Sequence, residues 1–142
     1  MSAQLPLHAM LADPAMAGAY FVDRRERDAY VEGAGRLEFA SATIDFSGCT
    51  GKADALGRFA QALRFPEWFG HNWDALADCL ADLSWMPAAG YLLLLEDTAA
   101  WRAADREGFD IAIEVLEQAA EGWNAERVPF WALVLVEDPF AD

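Results

Sequence analysis

The sequence lacks any apolar run long enough to cross a membrane. Its longest continuous apolar segments, Tyr91–Leu95 and Pro129–Val136, are far shorter than the roughly 20 residues that a spanning helix needs. It also lacks the pattern of a secretory signal, in which a charged start precedes an apolar stretch, because its first basic residue is Arg24. We therefore predict a cytoplasmic protein without a membrane partner.

Cysteine is scarce as well. Cys49 and Cys79, the two cysteines of the chain, form neither a Cys-x-x-Cys pair nor a metal-ligand spacing. Because the cytosol disfavours disulfides, we predict two reduced and buried thiols that act as small apolar groups. We expect no cofactor and no bound metal.

Basic residues are few. The chain has ten Lys and Arg against 24 Asp and Glu, for a formal net charge of −14. Nucleic-acid binding depends on Lys and Arg that displace counterions, so this charge argues against a nucleic-acid partner. A negative field of this size instead favours rapid association with a basic partner. At 142 residues with 55% hydrophobic content, the chain is predicted to fold rather than to be disordered.

The N-terminal 35 residues have weak periodicity. We expect residues 1 to about 18 to be irregular, Tyr20–Val22 to form a short edge strand, and Arg24–Glu32 to form one or two helical turns. Gly33 and Gly35 are expected to break that helix. The sequence thus predicts an N-terminal extension over residues 1–35, partly irregular, and a globular domain over residues 36–142.

Residues 36–142 alternate between strand and helix patterns. Apolar residues recur at helical or strand spacing, and the predicted order is strand Ala42–Phe46, helix Lys52–Leu63, helix from the Asn72 cap to about Leu83, strand Tyr91–Leu95, helix from a Thr98 cap to about Arg106, helix Asp110 to about Gly122, and strand Val128–Val136. The last two strands are apolar without alternation, which is typical of strands covered on both faces. We predict an α/β fold with a small parallel sheet and right-handed crossovers.

The segment from Phe65 to Asp82 carries the functional argument. On its predicted helix, Asp74, Asp78 and Asp82 recur every four residues and therefore share one face, opposite an apolar face. Like charges at this spacing destabilise an isolated helix. No Lys or Arg occurs from Phe65 to Trp101, so nothing nearby in the sequence offsets them. The pattern indicates a surface that receives cations from another molecule, although a solvated helix face in an acidic protein gives the same pattern.

The aromatic residues of this segment allow two interpretations. Trp68 and Phe69 stand in a loop closed by Gly70, where large aromatics serve either an interface or the core, and Trp73 is expected in the core.

At these residues the sequence resembles the barstar family of intracellular ribonuclease inhibitors. The family pattern is a Pro-Glu-aromatic-aromatic-Gly loop followed by a helix with Asn-x-Asp-Ala-Leu-x-Asp-Cys-Leu. Here it reads Pro66-Glu67-Trp68-Phe69-Gly70 and then Asn72-Trp73-Asp74-Ala75-Leu76-Ala77-Asp78-Cys79-Leu80. The order of elements from about residue 41 to 137 is also similar.

We expect the free protein to be a monomer. The resemblance implies a three-stranded parallel sheet flanked by helices and no enzymatic activity. It also implies that loop and helix carboxylates block the active site of a basic ribonuclease of the barnase type, extracellular or toxin. Carried over by motif position, the partner-binding residues are Trp68, Phe69, Gly70, Asn72, Asp74 and Asp78. The candidate set also includes His71 between them, Asp82 on the same helix face and Glu117 as the acid of the last helix. The family's dominant contact corresponds to Asp78.

Three positions depart from the family pattern. Trp68 and Phe69 stand where two tyrosines are usual, His71 replaces an acid, and Ala77 replaces a bulky aromatic. These departures leave open an alternative partner, a basic protein that is not a ribonuclease, bound by an immunity-type acidic module.

The same residues are compatible in spacing with two further functions, a catalytic site and a metal site. Asp74 and Asp78 have the spacing of paired catalytic carboxylates, but they project from one side of a helix and so do not flank a substrate. His71, Asp74 and Asp78 have the spacing of metal ligands, yet zinc sites usually contain more His or Cys and hard cations need more oxygen ligands.

Overall fold

The computed structural model describes residues 6–139 and contains one parallel sheet. Its strands are β1 (Ala19–Asp23), β2 (Ala40–Asp45), β3 (Tyr91–Glu96) and β4 (Phe130–Val136), and their order across the sheet is β1-β4-β3-β2. The predicted parallel α/β fold is confirmed, but the predicted number of three strands is wrong. The fourth strand is β1, which pairs in parallel with β4 from Ala19 opposite Ala132 to Asp23 opposite Val136.

Helices connect the strands. They are α1 (Leu7–Leu11), α2 (Arg27–Arg36), α3 (Lys52–Leu63), α4 (Trp73–Asp82), α5 (Ala99–Ala104) and α6 (Arg106–Ala125), with a short 3-10 turn at Arg24–Glu26. Two details differ from the prediction. The α6 helix starts four residues earlier than expected because Asp105 caps it, its carboxylate accepting the Gly108 amide. Thr98 does not cap α5; its hydroxyl accepts a hydrogen bond from Arg102 Nε instead.

Both faces of the sheet are covered. On one face, alternate residues of β3 and β4 such as Leu93, Leu95 and Val134 pack against α3, α4, α5 and α6. On the other face, Leu92, Trp131 and their neighbours pack against α1 and α2. This explains why the two central strands are apolar without alternation, as the sequence predicted.

The N-terminal segment forms the second helical layer. Trp131 Nε1, in the sheet, donates a hydrogen bond to Leu11 O at the end of α1. The α2 helix continues through Gly33 and Gly35, so the prediction that these glycines break it is wrong. Gly33 permits close helix packing, because a Cβ atom there would lie 3.1 Å from Leu11 Cδ1. The expected irregular structure at residues 1–5 lies outside the described residues.

Within residues 6–139, no helix is both long and apolar enough to cross a membrane. Cys49 and Cys79 are both buried and free, in agreement with the prediction.

Candidate functional site

The loop between α3 and α4 separates its two neighbouring aromatic residues. A turn in which the Phe69 amide donates to Pro66 O directs Phe69 inward, where it packs on Phe65 with ring centroids 4.9 Å apart. Phe69 is 6% exposed, whereas Trp68 is 60% exposed, the highest value among large hydrophobic residues in the described chain. Phe69 is therefore part of the core, and Trp68 is the aromatic that a partner can reach.

Gly70, His71 and Asn72 form the turn into α4. His71 has a left-handed backbone with φ of 53°, its ring lies 4.7 Å from that of Phe69, and its Nδ1 is 3.2 Å from Phe69 O. Asn72 Oδ1 accepts the Ala75 amide at 2.7 Å, which confirms the predicted N-cap. These contacts fix the direction in which α4 leaves the loop.

The α4 helix has one buried and one charged face. Leu76, Cys79 and Leu80 are buried, Trp73 is half-buried against the same core, and Asp74, Asp78 and Asp82 are all exposed. The predicted amphipathic pattern is thus confirmed, and the three carboxylates lie along one side of a single helix.

No basic side chain neutralises these carboxylates within the described residues. The ion pairs observed among residues 6–139 involve other acids, mainly on α2, α3 and α6. Lys52 approaches α4, but its ammonium lies over the Trp73 ring, 5.9 Å from the centroid, and not against a carboxylate. Burial, followed by the charges of Asp78 and Asp82, raises the pKa of the Cys79 thiol. The face therefore carries uncompensated negative charge.

Three hydrogen bonds from aromatic side chains hold α4 and its flanking turns in place. Trp123 Nε1 on α6 donates to Leu80 O at 2.8 Å. Trp85 Nε1, after α4, donates to Leu63 O at 2.9 Å, and the Tyr91 hydroxyl donates to Met86 O at 2.8 Å. Tyr91 is buried and the two tryptophans are half-buried, so these hydrogen bonds are shielded from water and hold α4 in a fixed position.

The acid predicted on the last helix, Glu117, is exposed on α6 but does not line the groove between α4 and α6. That groove, of about 460 Å³, is bounded by Ala81 on α4 and by Gln118, Gly122 and Glu126 on the α6 side. Glu117 is turned about 100° around the helix from Gln118. Glu126 is thus an acid beside α4 that the sequence analysis missed, since only the packing of α6 on α4 identifies it.

Asp74 and Asp78 are exposed and stand four residues apart, so they project from the same side of α4. No three or more His, Cys, Asp or Glu side chains of residues 6–139 come together in a way that would hold a metal ion. The arrangement can bind cationic groups presented on another surface.

Comparison with known families finds a match over most of the chain. The family model described as Barstar (barnase inhibitor) matches residues 39–135, which include helices α3 to α6, strands β2 and β3, and all but the last residue of β4. The match begins after the N-terminal segment that supplies α1, β1 and α2. No curated protein matches the chain in sequence.

Proposed function

The chain belongs to the barstar family, and from this premise we propose that it is an intracellular inhibitor that blocks the active site of a basic ribonuclease of the barnase type. The binding face is formed by Trp68, by the loop residues Gly70–Asn72, and by the carboxylates of Asp74, Asp78 and Asp82. Phe69 supports this face from within the core. The protein itself performs no catalysis in this proposal.

The observation that carries the proposal is the line of three exposed carboxylates on α4 without counter-charges from residues 6–139. A ribonuclease must place Lys, Arg and His close together to bind phosphate and to stabilise the charge that develops there. Carboxylates at fixed spacing can occupy the phosphate positions and form charge-assisted hydrogen bonds with Arg. The repulsion within the line is then relieved in the complex.

Preorganisation supports the same role. Asn72 caps α4, and Trp123 ties its last turn to α6. A face that is already ordered loses little conformational freedom on binding. The net charge of −14 adds long-range attraction to a cationic site and so favours rapid association.

A second partner class is supported by a specific observation. The only aromatic exposed in the loop is Trp68, whose indole offers no hydroxyl group, and His71 follows Gly70 where the family has an acid. These changes alter the hydrogen bonds at one end of the face while leaving its carboxylates in place. A basic protein without ribonuclease activity is therefore the alternative partner.

The test is inhibition of a panel of basic microbial ribonucleases by the wild type, by Asp78→Ala and by Asp28→Ala. Asp28 is an exposed acid on α2, so its removal changes the net charge equally on the opposite layer of the fold. We expect the wild type and Asp28→Ala to inhibit equally. Asp78→Ala should bind more weakly by about 2–5 kcal/mol, the loss that is typical when one partner of a buried charge pair at an interface is removed.

Two other results would contradict the proposal. Equal inhibition by Asp78→Ala and wild type would show that the Asp78 carboxylate does not occupy a phosphate position in the ribonuclease active site. If the wild type inhibits no ribonuclease of the panel but binds a basic protein without such activity through Asp78, the alternative partner class is correct.

A further inference from the structure

The described chain has a second exposed apolar surface, remote in sequence from the acidic face. Besides Trp68, the exposed large hydrophobic residues of residues 6–139 are Met16 (42%), Tyr20 (45%) and Phe21 (39%). Met16 and Tyr20 lie on the Trp131 face of the sheet, where they line a groove of about 250 Å³. The Phe21 ring lies on the other face of the same edge strand, 6.1 Å from the ring of Phe109 on α6. We call Met16, Tyr20 and Phe21 the β1 patch. Clustered exposed apolar side chains are typical of interaction sites.

The β1 patch lies on an open sheet edge. Within residues 6–139, β1 is paired with β4 on one side only. The carbonyl of Gly18 accepts a hydrogen bond from the Ala132 amide, so Gly18 faces β4. Peptide directions alternate along a strand, and the N–H and C=O groups of Ala19 and Phe21 therefore point away from β4.

Arginine side chains cover parts of β2, the strand at the opposite edge of the sheet, and so hinder its pairing with another chain. On β2, the Thr43 hydroxyl accepts from Arg27 Nη2, and the carbonyl of Asp45 accepts from Arg58 Nη1. Charged side chains over an edge strand are a common means of preventing edge-to-edge pairing. The β1 strand has neither Lys nor Pro, and its central residues are Tyr20 and Phe21.

The N-terminal segment that contains β1 is the least acidic part of the chain. Residues 1–36 contain five acids and four arginines, whereas residues 37–142 contain nineteen acids and only six basic residues. A second copy of so acidic a chain is repelled by most of the surface, but not by the N-terminal layer.

We propose that the protein forms a symmetric homodimer through antiparallel pairing of β1 with β1 of a second copy, which joins the two sheets into one of eight strands. Phe21 is the middle residue of β1 and faces outward, so the two-fold axis passes beside it and the two Phe21 residues exchange N–H···O=C hydrogen bonds. Tyr20 then lies opposite Val22 of the second copy on the Trp131 face of the sheet. From the sequence alone we expected a monomer and a short edge strand at Tyr20–Val22. The unpaired outer edge of that strand is the reason for proposing a dimer instead.

The proposal does not depend on the proposed inhibitor function, because the β1 patch shares no residue with the acidic face. Molar mass by light scattering is compared for the wild type, Phe21→Glu and Trp68→Glu from about 1 µM to about 1 mM protein. We expect a concentration-dependent dimer for the wild type and Trp68→Glu, and a monomer for Phe21→Glu. Arg102 lies 6.0 Å from the Phe21 ring and can pair with the new carboxylate. A urea denaturation curve of Phe21→Glu checks that the variant is folded. A wild type that remains monomeric over this range, or a dimer that persists in Phe21→Glu, would overturn the proposal.

A cysteine crosslink tests the register without disturbing the fold by charge. Hydrogen-bonded antiparallel neighbours have Cα atoms about 5.5 Å apart, which is a normal disulfide separation. Oxidised Phe21→Cys should therefore run as a covalent dimer, while wild type and Trp68→Cys should not, since Cys49 and Cys79 are buried. A dimer in light scattering without this crosslink would contradict pairing at Phe21.

Discussion

The indole Nε1 of Trp123 donates a hydrogen bond of 2.8 Å to the backbone carbonyl of Leu80, and thereby joins α6 to the last turn of α4. The last four carbonyls of a helix have no amide partner within it. Leu80 belongs to the last turn of α4, so the indole supplies a partner that the helix lacks.

This contact predicts the effect of Trp123→Phe. The substitution keeps an aromatic ring against Tyr91, whose ring centroid is 5.2 Å away, but it leaves the Leu80 carbonyl unpaired. We expect the free energy of unfolding to fall by about 1–3 kcal/mol, measured by urea denaturation. Trp68→Phe is the control, since Trp68 is largely exposed and its replacement should leave stability unchanged. Equal stability of Trp123→Phe and wild type would show that water replaces the indole.

The cap of α4 predicts a contrast between two variants of Asn72. Asn72→Ala removes the acceptor of the Ala75 amide and should cost about 0.5–2 kcal/mol of stability. Asn72→Asp keeps an acceptor at the same position and adds a negative charge at the helix N-terminus, so stability should be retained. Denaturation curves for both variants check this. A loss of equal size in both would mean that the Asn72 amide group, rather than the cap, stabilises the turn.

The sequence predicted the acidic helix more completely than the N-terminal layer, for a physical reason. The pattern of α4 is local, because Asn72 begins the helix and the apolar and acidic residues repeat at helical spacing. The path of α2 depends instead on a distant contact: Gly33 costs an isolated helix about 1 kcal/mol relative to Ala, but it lets Leu11 of α1 approach. Tertiary packing outweighs local preference there, and the sequence alone gave no sign of it.

The candidate site shows the same division. Phe69 and Trp68 are adjacent and both aromatic, so no periodicity separates the buried one from the exposed one; the turn at Pro66 does. Similarly, the unbroken apolar pattern of β3 and β4 predicted that both faces of the sheet are buried. It did not identify α1 and α2 as the helices that bury the second face. Helix packing likewise determines that Glu126, the residue after α6, lines the groove beside α4.

The end of β1 predicts a pH dependence of stability. Hydrogen bonds from the guanidinium and the backbone amide of Arg25 lower the pKa of Asp23 to about 2 from its usual 3.8. Because the folded pKa lies below the unfolded one, the carboxylate stabilises the fold above about pH 4, and this contribution is lost as the pH falls through about 2. The stability difference between wild type and Asp23→Asn should therefore shrink over this interval in urea denaturation. A difference independent of pH from 2 to 5 would contradict this role of Asp23.

The two proposed interfaces predict opposite responses to salt. The acidic face attracts a basic ribonuclease, and raising the ionic strength from about 0.01 M to 0.15 M shortens the Debye length from about 30 Å to 8 Å. Inhibition should then set in more slowly, because steering is screened. The β1 pair joins two chains of net charge −14 through mainly apolar contacts, so the same salt should screen their repulsion and strengthen the dimer. Stopped-flow association rates and light scattering in one salt series measure both. A dimer that dissociates as salt rises would indicate contacts between charged groups rather than at Tyr20 and Phe21. An association rate with the ribonuclease that does not change with salt would contradict electrostatic steering by Asp74, Asp78 and Asp82.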